Sequence, residues 1–121
     1  MRPRVLVVDD DPDMRLTMHE VLTDEGLEVD LAADGREALE RAASQRPALV
    51  ILDLTLPILD GFEVADRLRQ QHGLLPILAV TADGRAPHKA RRVGAYAYLR
   101  KPFELDTLVS LVRHGLADPE P

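Results

Sequence analysis

The chain contains no cysteine. It therefore has no disulfide framework, no thiol nucleophile and no cysteine-ligated zinc site. The absence suits the cytoplasm, which is the localisation that we expect. Basic residues are also the minority, because 15 Lys and Arg stand against 21 Asp and Glu and give a formal net charge of −6. Nonspecific nucleic-acid binding needs a basic surface, so this charge argues against direct contact with nucleic acid.

Long apolar runs are lacking as well. The first run, at residues 5–8, is far shorter than the roughly 20 residues that a membrane helix needs, and it is no signal peptide. No glycine-rich loop follows it, which argues against nucleotide binding of that kind. The length of 121 residues suits one domain, which we expect to span residues 1–117. The polar, proline-rich residues 118–121 are expected to be a tail or the start of a linker.

Short apolar runs alternate with amphipathic stretches along the whole chain. The runs predict five strands, at residues 5–8, 27–31, 48–52, 76–80 and 96–99. Five helices are predicted between and after them, and the first begins at Asp11-Pro12, with an acceptor side chain at the cap. The fourth helix, from Pro87 to about Val93, is predicted to be shortened. Successive strand–helix units predict an α/β fold with one parallel sheet that helices cover on both faces.

Acidic residues stand where two of the predicted strands end. Asp9, Asp10 and Asp11 follow the first apolar run, and Asp53 follows the run at 49–52. The carboxyl ends of parallel strands form the crevice in which ligands bind, so we expect one shared acidic pocket. Two carboxylates about 4 Å apart repel each other by roughly 1 kcal/mol in water and by about 4 kcal/mol at an effective dielectric constant of about 20. A divalent metal would relieve that repulsion.

Taken one at a time, these residues have ordinary structural explanations. The acidic triplet could serve as a helix cap in a favourable place for the helix dipole, and Asp53 could form a turn. Thr81 could cap the segment that follows it, and Lys101 could be a solvated surface amine. The functional interpretation depends on all of them falling at the same ends of the predicted strands.

Five sequence motifs taken together resemble the receiver domain of two-component response regulators, over nearly the whole chain. The motifs are Val-Leu-Val-Val-Asp-Asp-Asp-Pro at 5–12, Leu-Asp-Leu-Thr-Leu-Pro at 52–57 with Asp60-Gly61, Thr81-Ala82, Gly94-Ala95 leading to Tyr98, and Lys101-Pro102-Phe103. The resemblance implies a single doubly wound, flavodoxin-like (βα)5 sheet with strand order 2-1-3-4-5. It also implies a cis peptide bond between Lys101 and Pro102.

The resemblance further implies a role for each site residue. Asp53 would be the phosphoacceptor, and Asp9 and Asp10 the acid pair that helps to hold Mg2+. Asp10, Asp53 and the backbone carbonyl of Thr55 would be the direct ligands of this magnesium ion, with Asp9 acting through water. Thr81 would supply a hydroxyl that hydrogen-bonds the phosphoryl group, and Lys101 a cation that pairs with it. Tyr98 would be the switch aromatic.

The function so implied is a Mg2+-dependent signalling switch that is not otherwise an enzyme. A histidine kinase or phosphotransfer protein would phosphorylate Asp53, and slow autodephosphorylation would reset it. A homodimer or an output-domain contact could form through the fourth helix, fifth strand and fifth helix. The alternatives are a receiver-like interaction module that works without phosphorylation and a haloacid-dehalogenase-like phosphatase. That phosphatase family requires Asp-x-Asp followed by Thr or Val after the first strand, and an acidic pair late in the chain. The run Asp9-Asp10-Asp11-Pro12-Asp13 and the solitary Lys101 do not fit this pattern.

The chain departs from the family pattern between Thr81 and Lys101. The two residues are 20 positions apart, which is short for the family and agrees with a shortened fourth helix. Position 96 is Tyr, and alternation along a strand predicts that Tyr96 and Tyr98 point to the same face. Tyr96 would then either cover the surface left by the short helix or belong to an aromatic patch for a partner.

Overall fold

The structure is a computed structural model that describes residues 2–54, 61–82 and 86–117. Strands and helices alternate throughout: β1 (Arg4–Val8), α1 (Pro12–Asp24), β2 (Glu28–Ala32), α2 (Gly35–Ser44), β3 (Leu49–Asp53), α3 (Gly61–His72), β4 (Ile77–Thr81), α4 (Ala86–Arg92), β5 (Ala97–Arg100) and α5 (Leu105–Leu116). Thr55 and residues 118–121 lie outside the described residues, so the predictions made for them stay predictions. Among the residues described, we find no helix with the length and apolar character needed to cross a membrane.

The strands form one parallel sheet in the order β2-β1-β3-β4-β5. This order confirms the predicted doubly wound, flavodoxin-like architecture. The last four strands begin and end one residue later than predicted. Both neighbours of β1 are in register at their ends, where Val8 pairs with Ala32 of β2 and with Leu52 of β3.

Alternate side chains of the strands enter two separate cores, one on each face of the sheet. The first core packs the sheet against α2, α3 and α4, whose buried members are Ala38, Ala42, Val64, Ala65, Leu68 and Ala90, together with Val93 just after α4. The second packs it against α1 and α5, whose buried members are Met18, Leu22, Leu108 and Val112. Because both faces are covered, β3 and β4 are buried at every position, as their unbroken apolar runs predict.

Residues next to each end of α1 explain why the helix stops where it does. The Asp11 side chain accepts a hydrogen bond from the backbone N–H of Asp13 at 3.0 Å, and Pro12 occupies the first helical position. At the other end, Gly26 has a φ of 87°, a backbone conformation that favours glycine. The predicted start of this helix at Asp11-Pro12 is confirmed.

The fourth helix is short, as predicted, with seven residues. Side chains on both helices link its end to α3. The guanidinium of Arg69 donates hydrogen bonds to the backbone carbonyls of Val93 and Gly94, just beyond the end of α4. The Arg92 guanidinium carbon lies 4.2 Å from the centre of the Phe62 ring, at the start of α3. Two arginines therefore tie α4 to its neighbour.

The prediction that Tyr96 and Tyr98 share a face of β5 is wrong. The strand begins at Ala97, so Tyr96 lies before it and strand alternation does not apply. The Tyr96 side chain packs in the α1 and α5 core, and its hydroxyl donates to the Leu111 carbonyl at 2.8 Å. Tyr98 is 44% exposed. Tyr96 therefore packs against α5.

The Tyr96 ring also explains a glycine inside α5. A Cβ atom at Gly115 would lie 2.4 Å from the Tyr96 ring carbon Cζ and hydroxyl oxygen, and 2.6 Å from Leu49 Cδ1. These distances are too short for nonbonded atoms. Glycine is unfavourable in a helix by roughly 1 kcal/mol relative to alanine. Here the absence of a side chain at position 115 leaves room for the Tyr96 ring to pack.

Candidate functional site

The two buried aspartates of the site sit side by side because β1 and β3 are neighbours. Val8 pairs with Leu52, and Asp9 and Asp53 are the next residues of their chains. Each has a relative exposure of 1%. The backbone N–H of Asp9 donates to the Ala32 carbonyl at 3.1 Å, and that of Leu54 donates to the Val80 carbonyl at 2.9 Å. Sheet hydrogen bonds thus carry both carboxylates to one edge.

Asp10 joins these two residues in an acidic cluster. One carboxylate oxygen from each of Asp9, Asp10 and Asp53 lies within 4.8 Å of the others, and Asp10 is the exposed member. The predicted convergence of the three acids is therefore confirmed. A set of carboxylate oxygens on one open side is the donor chemistry that Mg2+ prefers, since this ion binds oxygen and retains several waters. The cluster fits a divalent metal.

Lys101 reaches this cluster from the end of β5. Its backbone N–H donates to the Thr81 carbonyl at 2.9 Å, which fixes the start of its side chain beside β4. The ammonium nitrogen lies 2.9 Å from Asp9 Oδ2 and 3.2 Å from Asp53 Oδ2. The Asp53 contact is a hydrogen bond, whereas the Asp9 contact is an ion pair by distance without hydrogen-bond geometry. The Lys101–Pro102 peptide bond is cis, as the family resemblance implies.

Thr81 and Tyr98 lie on the two strands that complete this edge. Thr81 is the last residue of β4 and is fully buried, and its neighbour Val80 pairs with Asp53. Tyr98 lies on β5 beside Ala79. The structure thus brings Thr81 to the same edge as the acids, while the Tyr98 side chain is partly open to solvent.

Burial and charge act against each other at the centre of the cluster. Desolvation raises the pKa of Asp9 above its ordinary value of 3.8, although the Asp11 N–H and the Lys101 ammonium act to lower it. For Lys101, burial acts to lower the pKa, but the Asp9 and Asp53 carboxylates outweigh it and raise the pKa above 10.5. The lysine is therefore held as a cation between two carboxylates.

Sequence reasoning missed one residue that touches the site. Arg15, on the first turns of α1, donates from its Nη1 atom to the backbone carbonyl of Asp9 at 2.8 Å. Asp9 is then held at three further points by Ala32, by Lys101 and by the Asp11 N–H, which donates to Asp9 Oδ1 at 2.9 Å. The only signal in the sequence was a basic residue close behind an acidic triplet, which many helices have.

Comparison with known proteins extends over almost the whole chain. Residues 5–113 match the family model described as the response regulator receiver domain. The chain belongs to this family. The receiver domain is 44% identical over 115 residues to the response regulator MprA of Mycolicibacterium vanbaalenii, covering 93% of this chain and 50% of that protein. It is 43% identical over 112 residues to the transcriptional regulatory protein TcrA of Mycobacterium tuberculosis, covering 91% and 44% respectively.

Solved structures agree with this assignment. The receiver domain superposes on the chemotaxis protein CheY4 of Vibrio cholerae with a TM-score of 0.88 and 37% identity, covering 96% of this chain and 100% of that one. The receiver domain of NtrX from Brucella abortus gives a TM-score of 0.85 and 37% identity, covering 93% and 97%. The chain spans about half the length of the curated relatives it matches. As a response regulator receiver, it is a regulatory domain of two-component signalling.

Proposed function

We propose that this receiver domain is a phosphorylation switch whose phosphoacceptor is Asp53. The supporting observation is the position of the Asp53 carboxylate, which is buried at the carboxyl edge of the sheet and contacts the Lys101 ammonium at 3.2 Å. A carboxylate can attack phosphorus and hold the group as an acyl phosphate. An adjacent cation offsets charge on the phosphoryl oxygens during that transfer.

The proposed donor is a phosphohistidine of a histidine kinase or of a phosphotransfer protein. A new bond forms between an Asp53 carboxylate oxygen and phosphorus while the phosphorus–nitrogen bond breaks. The electron pair of the broken bond returns to the donor imidazole. Hydrolysis of the acyl phosphate by water releases inorganic phosphate and restores the Asp53 carboxylate, which would be the slow autodephosphorylation. We propose that these steps take place in the cytoplasm.

Mg2+ is the metal proposed for the acidic cluster. Asp10 and Asp53 would be direct ligands, and Asp9 would act through water. The backbone carbonyl of Thr55 is proposed as a third direct ligand, on the family resemblance alone. When bound, the metal neutralises negative charge on the carboxylates and on the incoming phosphoryl oxygens. The support for this proposal is the oxygen-only donor set within 4.8 Å.

Thr81 and Lys101 are proposed to read the phosphorylated state. The Lys101 ammonium would move from the carboxylates to the phosphoryl oxygens, and the Thr81 hydroxyl would bond to the same group. Tyr98, half-exposed on the neighbouring strand, would respond by changing its position. The output surface would comprise α4, β5 and α5, through which a homodimer or an output domain would bind. This is a two-state element that a local charge biases.

The test is covalent labelling. The protein is incubated with Mg2+ and a small acyl-phosphate donor, and intact mass is measured. We expect one added phosphoryl group that is labile at alkaline pH and absent from Asp53→Asn. Asp66→Asn, at an exposed aspartate of α3, is the matched control and should label normally. Full labelling of Asp53→Asn would refute the acceptor assignment, and an unlabelled parent protein would favour an interaction module that works without phosphorylation.

A further inference from the structure

The peptide bond between Asp9 and Asp10 is held from an unexpected direction. The side chain of Arg15 turns back past the start of α1 to donate to the Asp9 carbonyl at 2.8 Å. A cation near a helix N-terminus is unfavourable, because the helix dipole is positive there. Arg15 therefore does not serve the helix on which it lies. Its contact is with the loop that carries the acidic pair.

This contact acts on Asp10 through the geometry of the peptide group. The Asp9 carbonyl and the Asp10 N–H belong to one rigid plane, so a hydrogen bond to the carbonyl fixes the direction in which Asp10 leaves β1. Asp10 is exposed, and its side chain makes no hydrogen bond or ion pair with any residue that the structure describes. Nothing within those residues other than its backbone directs the Asp10 carboxylate toward Asp9 and Asp53.

We infer that Arg15 is a positioning residue for the acidic cluster: by fixing the Asp9–Asp10 peptide plane, its guanidinium aims the Asp10 carboxylate at the site of the metal. The inference rests on the proposed function, because it concerns the proposed Mg2+ site. Arg15 itself is not a metal ligand. Among residues 2–54, 61–82 and 86–117, its guanidinium forms no ion pair with a carboxylate, so its contact is with backbone alone.

Charge and geometry predict opposite effects of removing Arg15. If the guanidinium acted only through its charge, its loss would leave the acidic cluster more negative and Mg2+ would bind more tightly. If it acts by fixing the peptide plane, its loss lets Asp10 adopt other directions and Mg2+ binds less tightly. Partners that orient metal ligands typically change metal affinity by about 10–100-fold when they are removed.

The experiment measures Mg2+ affinity by NMR. Mg2+ is titrated into the metal-free protein, and the shifts of the backbone amide resonances are followed. Arg15→Met keeps the apolar stem and removes the donor and charge, and we expect its Mg2+ affinity to fall by about 10-fold. Arg15→Lys keeps the charge and one donor group and should lose less. Arg46→Met is the matched control, because Arg46 also donates to a backbone carbonyl, that of His72 at 2.9 Å, but lies beyond the opposite edge of the sheet. The Mg2+ affinity of Arg46→Met should match that of the parent protein.

A second measurement needs no metal. Before any Mg2+ is added, the amide resonances of Asp10 and Asp11 in Arg15→Met should differ from those of the parent protein, whereas the amide resonances of β4 should be unchanged. An affinity that is unchanged or higher in Arg15→Met, with the protein folded by its thermal melt, would overturn the role of Arg15 and leave the metal site standing. A parent protein whose resonances do not respond to Mg2+ would overturn the metal site itself.

Discussion

Helices α1 and α4 are held in place by different means. The 13-residue α1 has an aspartate cap, a proline at its first position and a glycine after its end, all within its own stretch of sequence. The seven-residue α4 has Gly94 after its end, with a φ of 68°, but the carbonyls of Val93 and Gly94, just beyond that end, accept hydrogen bonds from Arg69 of α3. One helix is specified locally, whereas the other is completed by a neighbour.

The difference bears on how independently each helix can move. Isolated helices shorter than about 12–15 residues are marginal in water, so a seven-residue helix needs tertiary contacts in order to persist. For α4 those contacts include Ala90 and the adjacent Val93, both in the core, and the two arginines that link this segment to α3. We therefore expect α4 to open locally at a lower free energy than α1.

The largest effect should come from removing the link between α3 and α4. Arg69→Met eliminates two hydrogen bonds from a charged donor to backbone carbonyls, and we expect the free energy of local opening of α4 to fall by about 2 kcal/mol. Amide hydrogen exchange at Val93, Gly94 and Ala95 measures it, because these N–H groups are bonded to carbonyls of α4. Exchange in α1 should change little.

Arg67→Met is the control for that experiment. Arg67 lies on the same helix and pairs with Glu63 at 2.7 Å, where the side chains of both residues are well exposed. Exposed pairs of this spacing contribute about 0.3–0.5 kcal/mol. If both variants left exchange in α4 unchanged, the core contacts alone would be holding the helix and the contrast with α1 would fail.

A smaller effect is expected from the cap of α1. Asp11→Ala removes the acceptor for the Asp13 N–H and should lower the free energy of unfolding by about 1 kcal/mol. The same change also removes a negative charge beside the acidic cluster, which acts in the opposite direction. Asp11→Asn separates the two effects, because it keeps a capping oxygen without the charge, and it should be at least as stable as the parent in urea denaturation. A stable Asp11→Ala would mean that charge relief outweighs capping.

The smallest effect should be that of the Tyr96 hydroxyl. Burial raises the pKa of Tyr96 to about 12 from an ordinary 10.0, so the folded state disfavours its phenolate. The stability that comes from keeping the Tyr96 hydroxyl protonated is complete below pH 10 and is lost as the pH rises toward about 12. Tyr96→Phe removes the bond to Leu111 and should be less stable by about 0.5–1 kcal/mol at neutral pH. The gap between the two proteins in urea denaturation should narrow above pH 10; a constant gap would contradict this account.

Much of the fold was predictable because its signals are local. Buried parallel strands appear as unbroken apolar runs, and the start of α1 is indicated by two adjacent residues, Asp11 and Pro12. The position of the acids also followed from sequence, since Asp9 directly follows β1, Asp53 ends β3, and the two strands are neighbours. The shortness of α4 followed from the spacing between Thr81 and Lys101.

What could not be predicted depends on contacts between distant residues. Tyr96 was assigned to the wrong face because a one-residue error in the start of β5 changes the direction of a side chain. The contacts of Arg69 with the end of α4 span more than 20 positions, and no local pattern announces them. Arg15 was missed because it binds a backbone carbonyl, which carries no side-chain signature.

The close packing of Tyr96 on Gly115 restricts how this sequence can vary. Any side chain at position 115 would overlap the tyrosine ring and Leu49, while a smaller residue at position 96 would leave only space behind it. A side chain at position 115 therefore requires both the Tyr96 ring and Leu49 to shift, so the volume that position 115 can hold is coupled to the volumes at positions 96 and 49.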